Sequence, residues 1–160
     1  MLLDCASLLL DLSSLRQGSN SGRFELDTVA IAWGIDDVRP APMKAVLDLD
    51  VSFRDQSFIC RGRLAAVFET PCARCMAPAT FRVTEPIFAV FSMDGSLEED
   101  PSIVKIPRNG RFASLLDALR EAVILSLPGL PLCREDCRGL CHVCGADLNE
   151  GTCEHTGPGE

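Results

Sequence analysis

Six metal-binding side chains crowd the C-terminal segment of the chain, which has little apolar material to bury. They are Cys133, Cys137, Cys141, Cys144, Cys153 and His155. Because few large apolar side chains accompany them, burial cannot offset the entropy lost when this segment becomes ordered. Cys-x2-Cys followed by Gly145 is typical of a tight turn around a metal, since glycine allows a positive φ. The sequence therefore predicts a zinc-bound tail in which the metal supplies the missing free energy.

A second pair of cysteines, Cys72 and Cys75, lies in "TPCARCMAP" between two predicted strands. A thiol-dependent oxidoreductase would place such a pair at a helix N-terminus, where the helix dipole lowers the thiol pKa. Pro78 and the strand that resumes by Phe81 leave no room for that helix. We therefore interpret the pair as half of a zinc site and keep the oxidoreductase as the alternative. The ligands suffice for one or two zinc ions, and their spacing does not show which cysteines share an ion.

The cysteine spacing has further interpretations. A disulfide cluster or unliganded thiols would need no metal. Cys137-x3-Cys141-x2-Cys144 also has the spacing of the cluster cysteines in radical S-adenosylmethionine enzymes. Those enzymes resemble large α/β barrels with the motif after an early strand, whereas here it ends a small chain. Of the two histidines, His142 is interpreted as a solvated loop residue and His155 as the better ligand.

Composition and charge narrow the class of protein. A chain of 160 residues with 47% apolar content suits one globular domain. Its nine cysteines favour metal ligands over disulfides in a reducing compartment. No long apolar span is present, and the apolar N-terminus carries Asp4 and Asp11 where a secretory signal carries basic residues. We therefore expect a cytoplasmic protein that does not enter a membrane.

Period-two alternation predicts strands over residues 46–54, 58–68 and 81–92, with Pro86 marking an edge or a bulge and Cys60 facing inward. A less regular strand is expected over 24–33. A helical stripe follows: Phe112, Leu115, Leu116, Leu119, Val123 and Leu127. Pro128 should end that helix. The predicted fold is α+β, an antiparallel sheet or partly closed barrel with one covering helix. Residues 1–127 form this domain, and residues 128–160 form the metal-binding tail.

Four arginines are candidates for RNA contact: Arg54, Arg61, Arg63 and Arg74. They lie in a stretch, residues 54–82, that contains five arginines and two acids, although the net charge of the chain is −8. The alternative is a solvated strand face in which Asp48 or Asp50 pairs with an arginine across the strands. An acidic protein can also dock on a basic protein through the acids of residues 94–100.

Nothing in the sequence indicates catalysis. Ser114 and Ser126 have no histidine and acid at a recognisable spacing, and there is no glycine-rich phosphate loop. We therefore expect a protein that acts by binding and has no small-molecule substrate.

The chain resembles the YceD-like family of large ribosomal RNA subunit accumulation proteins. Three segments carry the resemblance: "CARCM" after a strand, the late helix "LLDALREAVILSLP", and the tail "PLCREDCRGLCHVCGADLNEGTCEH". The likeness extends over about residues 47–155, and relatives often have a cysteine at the position of His155. It implies a non-enzymatic ribosome biogenesis factor that supports accumulation of large-subunit (23S) ribosomal RNA. Its implied partner is the precursor RNA or a basic ribosomal protein.

Overall fold

A computed structural model of the protein describes residues 2–54, 57–93, 103–107 and 110–155. The described chain is α+β, with ten strands, a short 3-10 helix at Leu12–Ser14 and a helix α1 at Leu116–Leu125. The strands are β1 (Leu3–Asp4), β2 (Leu9–Asp11), β3 (Gly18–Leu26), β4 (Arg39–Pro40), β5 (Ala45–Arg54), β6 (Ser57–Pro71), β7 (Pro78–Val83), β8 (Pro86–Ser92), β9 (Ile103–Lys105) and β10 (Phe112–Ser114).

The antiparallel pair β5–β6 confirms the predicted alternation. Leu47, Leu49 and Val51 are buried on the inner face of β5, and Phe58, Cys60, Leu64, Ala66 and Phe68 are buried on that of β6. Successive side chains of a strand point to opposite faces, so the intervening aspartates and arginines lie on the outer face. Burial raises the pKa of the Cys60 thiol to about 12, which fits the packing role expected for it.

The long strand β6 organises the main seven-stranded sheet. Its first half lies between β5 and β8, and its second half pairs with β4 and β7. Strands β7 and β8 follow one another along the same edge of β6 in one continuous register, as Ala66↔Val83 and Arg63↔Pro86 show. The run predicted over residues 81–92 is therefore two strands, and Pro86 begins the second one.

The prediction of a purely antiparallel sheet is wrong at one edge. Strand β9 pairs with β8 in parallel, with Val90 opposite Ile103. Periodicity shows which face of a strand is buried but not the direction of its neighbour, so the sequence could not reveal this pair. The described strands form no closed barrel, since β3 and β9 are the two ends of an open strand order. The early strand also begins sooner than expected and ends at Leu26.

The helix covers the core as predicted but starts later. Leu115, Leu119 and Val123 are completely buried, and Ser126 caps the helix before Pro128. Phe112 instead lies in β10, which joins β1 and β2 in a small antiparallel sheet, and its ring is half exposed. Within the described residues, no helix combines the length and apolar character needed to cross a membrane.

We expect Gly62→Ala to destabilise the main sheet. A Cβ at position 62 would collide with the carbonyl oxygen of Asp48 and approach Cγ1 of Ile87 to 3.1 Å. Overpacking of this kind costs about 1 to 3 kcal/mol, which lowers the melting temperature by several degrees. Thermal unfolding followed by circular dichroism measures the change. Gly129→Ala is the matched control, because a Cβ there meets nothing within 4 Å. Equal melting of the two variants would contradict this expectation.

Candidate metal centre

The structure gathers the eight candidate ligands into two groups of four, and in each group the ligand atoms all lie within 4.8 Å of one another. We call them the first and the second cysteine group. The first contains Cys72, Cys75, Cys133 and Cys137, and the second contains Cys141, Cys144, Cys153 and His155. The first is largely buried, whereas Cys144 and His155 of the second are exposed. Both sets have the chemistry to hold a metal ion.

The first group is built on the turn between β6 and β7. The backbone N–H of Cys72 donates to the carbonyl of Ala77 at 2.8 Å, and that of Met76 donates to the carbonyl of Cys72 at 3.0 Å. A third N–H, from Arg74, points at the Cys72 sulfur at 3.4 Å. These bonds hold both sulfurs on one side of the turn, facing the tail. Cys72 Sγ lies 3.8 Å from Cys137 Sγ, and Cys75 Sγ lies 3.5 Å from Cys133 Sγ.

The second group repeats the same turn. The N–H of Cys141 donates to the carbonyl of Ala146 at 2.8 Å, and the N–H of Gly145 donates to that of Cys141 at 2.8 Å. Gly145 has a φ of 73°, as its place in the sequence predicted. The corresponding residue of the first turn is Met76, with a φ of 63°. We did not predict this equivalence, although the shared Cys-x2-Cys-x-Ala spacing signals it.

Backbone hydrogen bonds fasten the tail to the first turn. Ala73 N–H donates to the carbonyl of Pro131 at 2.8 Å, and Leu140 N–H donates to that of Arg74 at 3.1 Å. The Arg74 guanidinium in turn donates through Nη1 to the carbonyl of Cys137 at 2.6 Å. Arg74, a candidate for RNA contact, therefore helps to join the two parts of the first group.

Within each group the cysteine thiols differ from one another in pKa. Burial raises the pKa of Cys72, but backbone N–H donors led by Arg74 outweigh it and lower that pKa to about 6. In the same group, the hydrogen bond to Cys75 raises the pKa of Cys133 to about 12. In the second group, the backbone N–H of His155 lowers the pKa of Cys153 to about 6. One thiol of each group thus ionises readily, and a central divalent cation would favour ionisation of the others.

The geometry gives no support to a redox function for Cys72 and Cys75. Both residues are buried, since Cys72 is 0% exposed and Cys75 is 8% exposed, and the sulfur of each faces another cysteine. The turn that carries them runs directly from β6 into β7, so no helix dipole acts on either sulfur.

The other arginine candidates share the outer face of β5 and β6. Arg61 lies over the Phe88 ring at 5.7 Å, and Arg63 donates through Nη1 to the carbonyl of Thr84 at 3.4 Å. Arg54 is exposed near the end of β5. Eight residues of extended strand separate Arg63 from Pro71, which is on the order of 26 Å. Arg74 therefore lies well away from the others.

Acids alternate with these arginines across the strands. The register places Asp50 opposite Arg61 and Asp48 opposite Arg63. Arg23 on β3, which the sequence did not suggest as part of this face, lies opposite Asp48 of β5. The two side chains form an exposed ion pair at 3.7 Å. The face is thus mixed in charge, as the alternative interpretation of the arginines required. The acidic run 94–100 lies outside the described residues.

Comparison with known proteins adds the family. A family model described as "Large ribosomal RNA subunit accumulation protein YceD" matches residues 60–159, which include both cysteine groups. An uncharacterized protein of Mycobacterium tuberculosis (strain H37Rv) is 34% identical over 130 residues, covering 79% of this chain and 58% of that protein. An uncharacterized protein of Mycobacterium leprae is 31% identical over 131 residues, covering 79% and 55%.

The chain thus spans a little over half the length of the curated relatives it matches. No solved structure matches it significantly. The family match extends from near the start of β6 through the helix to the tail and so covers more than half of the chain. The protein therefore belongs to the YceD family of large ribosomal RNA subunit accumulation proteins.

Proposed function

We propose that the protein is a non-enzymatic, cytoplasmic ribosome biogenesis factor that supports accumulation of large-subunit (23S) ribosomal RNA. The family match over residues 60–159 carries this proposal. The factor acts by binding, and its direct partner is the precursor RNA or a basic ribosomal protein. The mixed sheet and the cysteine groups fit this role, because they offer binding faces and closed four-ligand sets instead of an open catalytic position.

Zinc is the metal that best fits both groups. Four sulfurs placed tetrahedrally at about 2.3 Å from a zinc ion lie about 3.8 Å apart. In the first group, the separations of 3.8 Å between Cys72 and Cys137 and 3.5 Å between Cys75 and Cys133 are close to that figure, and all four sulfurs lie within 4.8 Å of one another. Three thiolates and one imidazole, the set of the second group, are also an established zinc environment. All four positions in each group come from the protein, so zinc would stabilise structure.

We further propose that residues 1–127 and 128–160 differ in what stabilises them. A large apolar cluster fills the space between the sheets and α1. A separate small cluster lies around the first cysteine group and includes Cys72, Cys75, Ala79 and Cys137, with Leu132 packed against it. The larger part is stable through apolar burial, whereas the tail depends on metal for its order.

The arginines of the outer face are our proposed RNA contact. Arg61 and Arg63 project from one strand two residues apart, and Arg54 follows on the neighbouring strand. A phosphate there would accept charge-assisted hydrogen bonds in place of the opposing carboxylates. If a basic ribosomal protein is the partner, these arginines have no such role, and the acids of the molecule carry the interaction.

Purified protein should contain two zinc ions per chain by elemental analysis. Cys75→Ser and Cys144→Ser each remove one thiolate from a different group, so each variant should lose about one ion. Cys5→Ser is the control, because Cys5 belongs to neither group. Zinc near zero in the parent, with thiols that all titrate freely, would contradict the metal proposal.

Removing zinc with a chelator under reducing conditions should make the tail sensitive to trypsin. We expect cleavage after Arg134 and Arg138, which lie in the tail, and continued protection after Arg61 and Arg63 within β6. Mass spectrometry of the fragments locates the cuts, and circular dichroism checks that the sheet persists. If the zinc-free tail resists trypsin as well as the loaded one does, the division at residue 127 is wrong.

Arg61→Gln/Arg63→Gln should weaken binding to protein-free large-subunit RNA. Glutamine removes both charges, whereas glutamate would set like charges opposite Asp48 and Asp50. Loss of two phosphate contacts lowers the log–log slope of affinity against salt by about 1.4 to 1.8 units. The control is Arg16→Gln/Lys105→Gln, the same charge change at two exposed positions. An unchanged slope would exclude this patch as the RNA contact and favour a protein partner.

A further inference from the structure

Met76 has a left-handed backbone conformation, which glycine would adopt at a lower free-energy cost. Its φ is 63°, and its N–H makes the same hydrogen bond as that of Gly145, which has a φ of 73° in the second turn. A residue with a Cβ pays roughly 1 to 2 kcal/mol in this left-handed region. The turn itself therefore does not account for a methionine at this position.

Packing does not account for it either. Met76 is 66% exposed, so most of its side chain contributes nothing to the core. Exposure alone would be ordinary, but a strained backbone conformation at a side chain that is not part of the core points to a role outside the turn. The second turn also has exposed apolar side chains: Val143 at its tip is 59% exposed, and Leu140 before it is 40% exposed.

The surroundings of Met76 combine an apolar floor with a mainly acidic rim. Beside it lies an open surface pocket of about 190 Å³, lined by Pro71, Met76 and Pro78 and by the polar residues Asp37, Arg39 and Glu69. Apolar stems with a charged end, as in lysine and arginine, suit such a pocket, since the stem can lie on the floor while the cation meets a carboxylate.

The adjoining tail extends the acidic character. Residues 131–155 contain two arginines and five carboxylates, and of the latter Glu135, Asp136, Glu150 and Glu154 are exposed. The tail is fixed against the same turn through the bond from Leu140 to Arg74. A polyanion such as RNA would be repelled here, whereas a basic polypeptide would be attracted.

We propose that Met76 and its pocket bind a basic polypeptide, with a lysine or arginine side chain lying over Met76, Pro71 and Pro78 and reaching the carboxylates of Asp37 and Glu69. We call these five residues the Met76 surface. This inference rests on the proposed function and takes the second of its two partners, a basic protein of the large ribosomal subunit. It assigns protein binding to the Met76 surface and does not depend on the arginines of the outer face.

A photo-crosslinking amino acid placed at position 76 of the zinc-loaded full chain tests the contact. The probes are the total proteins extracted from purified large ribosomal subunits and, separately, the protein-free RNA of those subunits. Position 43 is the matched control, because Met43 is 62% exposed and lines a different surface pocket that also contains the acids Glu25 and Asp27. We expect adducts to a basic ribosomal protein from position 76 at about ten times the yield from position 43. Equal yields, or adducts to the RNA instead, would overturn the proposal.

Two further variants separate binding from folding. Met76→Gly removes the side chain and the backbone strain together, so it should melt no lower than the parent and keep its zinc. It should nevertheless lose about tenfold in affinity for the ribosomal protein identified by crosslinking, and Met43→Ala should not. Asp37→Asn/Glu69→Gln should weaken binding comparably, because it removes both carboxylate charges of the pocket. The variant should still fold, since asparagine tolerates the φ of 59° at position 37. Undiminished affinity in both pocket variants would refute the proposal.

Complementation in cells distinguishes this inference from the function on which it rests. If cells lacking the protein accumulate large-subunit ribosomal RNA normally, the proposed function fails. If those cells are defective and Met76→Gly restores accumulation as fully as the parent does, the function stands and the Met76 surface is refuted. We expect a defect that the parent and Met43→Ala correct and that Met76→Gly corrects only in part.

Discussion

The position of the tail, and with it both cysteine groups, depends on the contact between the β6–β7 turn and the tail. Strand β6 pairs with β4, β5, β7 and β8, so its position is fixed by both halves of the main sheet. It ends at Pro71, directly before Cys72, and the sulfurs of the turn lie beside those of Cys133 and Cys137, which come from a segment without regular secondary structure. Tail geometry is therefore set by a rigid hairpin on one side and by thiol chemistry on the other.

This contact also explains why both cysteine turns have the same hydrogen bonds but different burial. The first turn lies between the strands and the tail, so its sulfurs are shielded from solvent. The second turn is joined to the first by the hydrogen bond from Leu140 to Arg74 and keeps Cys144 exposed. A metal in the first group would be held by two residues of the β6–β7 turn and two of the tail, whereas one in the second would be held by tail residues alone.

Sequence periodicity predicted the parts of the fold in which one face is buried over several residues. Strands β5 and β6 and the stripe from Leu115 to Val123 are of this kind, and the structure confirms them. Strands of two or three residues, such as β1 and β10, are too short to show a period, so the small sheet was missed. Phe112 fitted the helical spacing by coincidence. It lies three residues before Leu115, but it belongs to β10, the strand that precedes the helix.

For the cysteine groups, local spacing identified the ligands but not their partners. A Cys-x2-Cys turn is encoded within six residues, whereas the choice of its opposing pair depends on where two distant segments meet. Cys133 and Cys137 join the first turn because residues 131 and 140 bond to its backbone. Met76 was missed for a similar reason. Its positive φ becomes apparent only when its turn is compared with the second turn, which has Gly145 at the same position.

The separation of the ligands along the chain also sets an order of assembly. Cys141 to His155 span fifteen residues, so the second group closes a short loop. Cys72 and Cys137 are 65 positions apart, and the helix lies between them. Because a chain grows from its N-terminus, the β6–β7 hairpin can form long before its sulfurs have partners. During synthesis Cys72 and Cys75 can thus be held in their turn without their cysteine partners until residues 133–137 have been made.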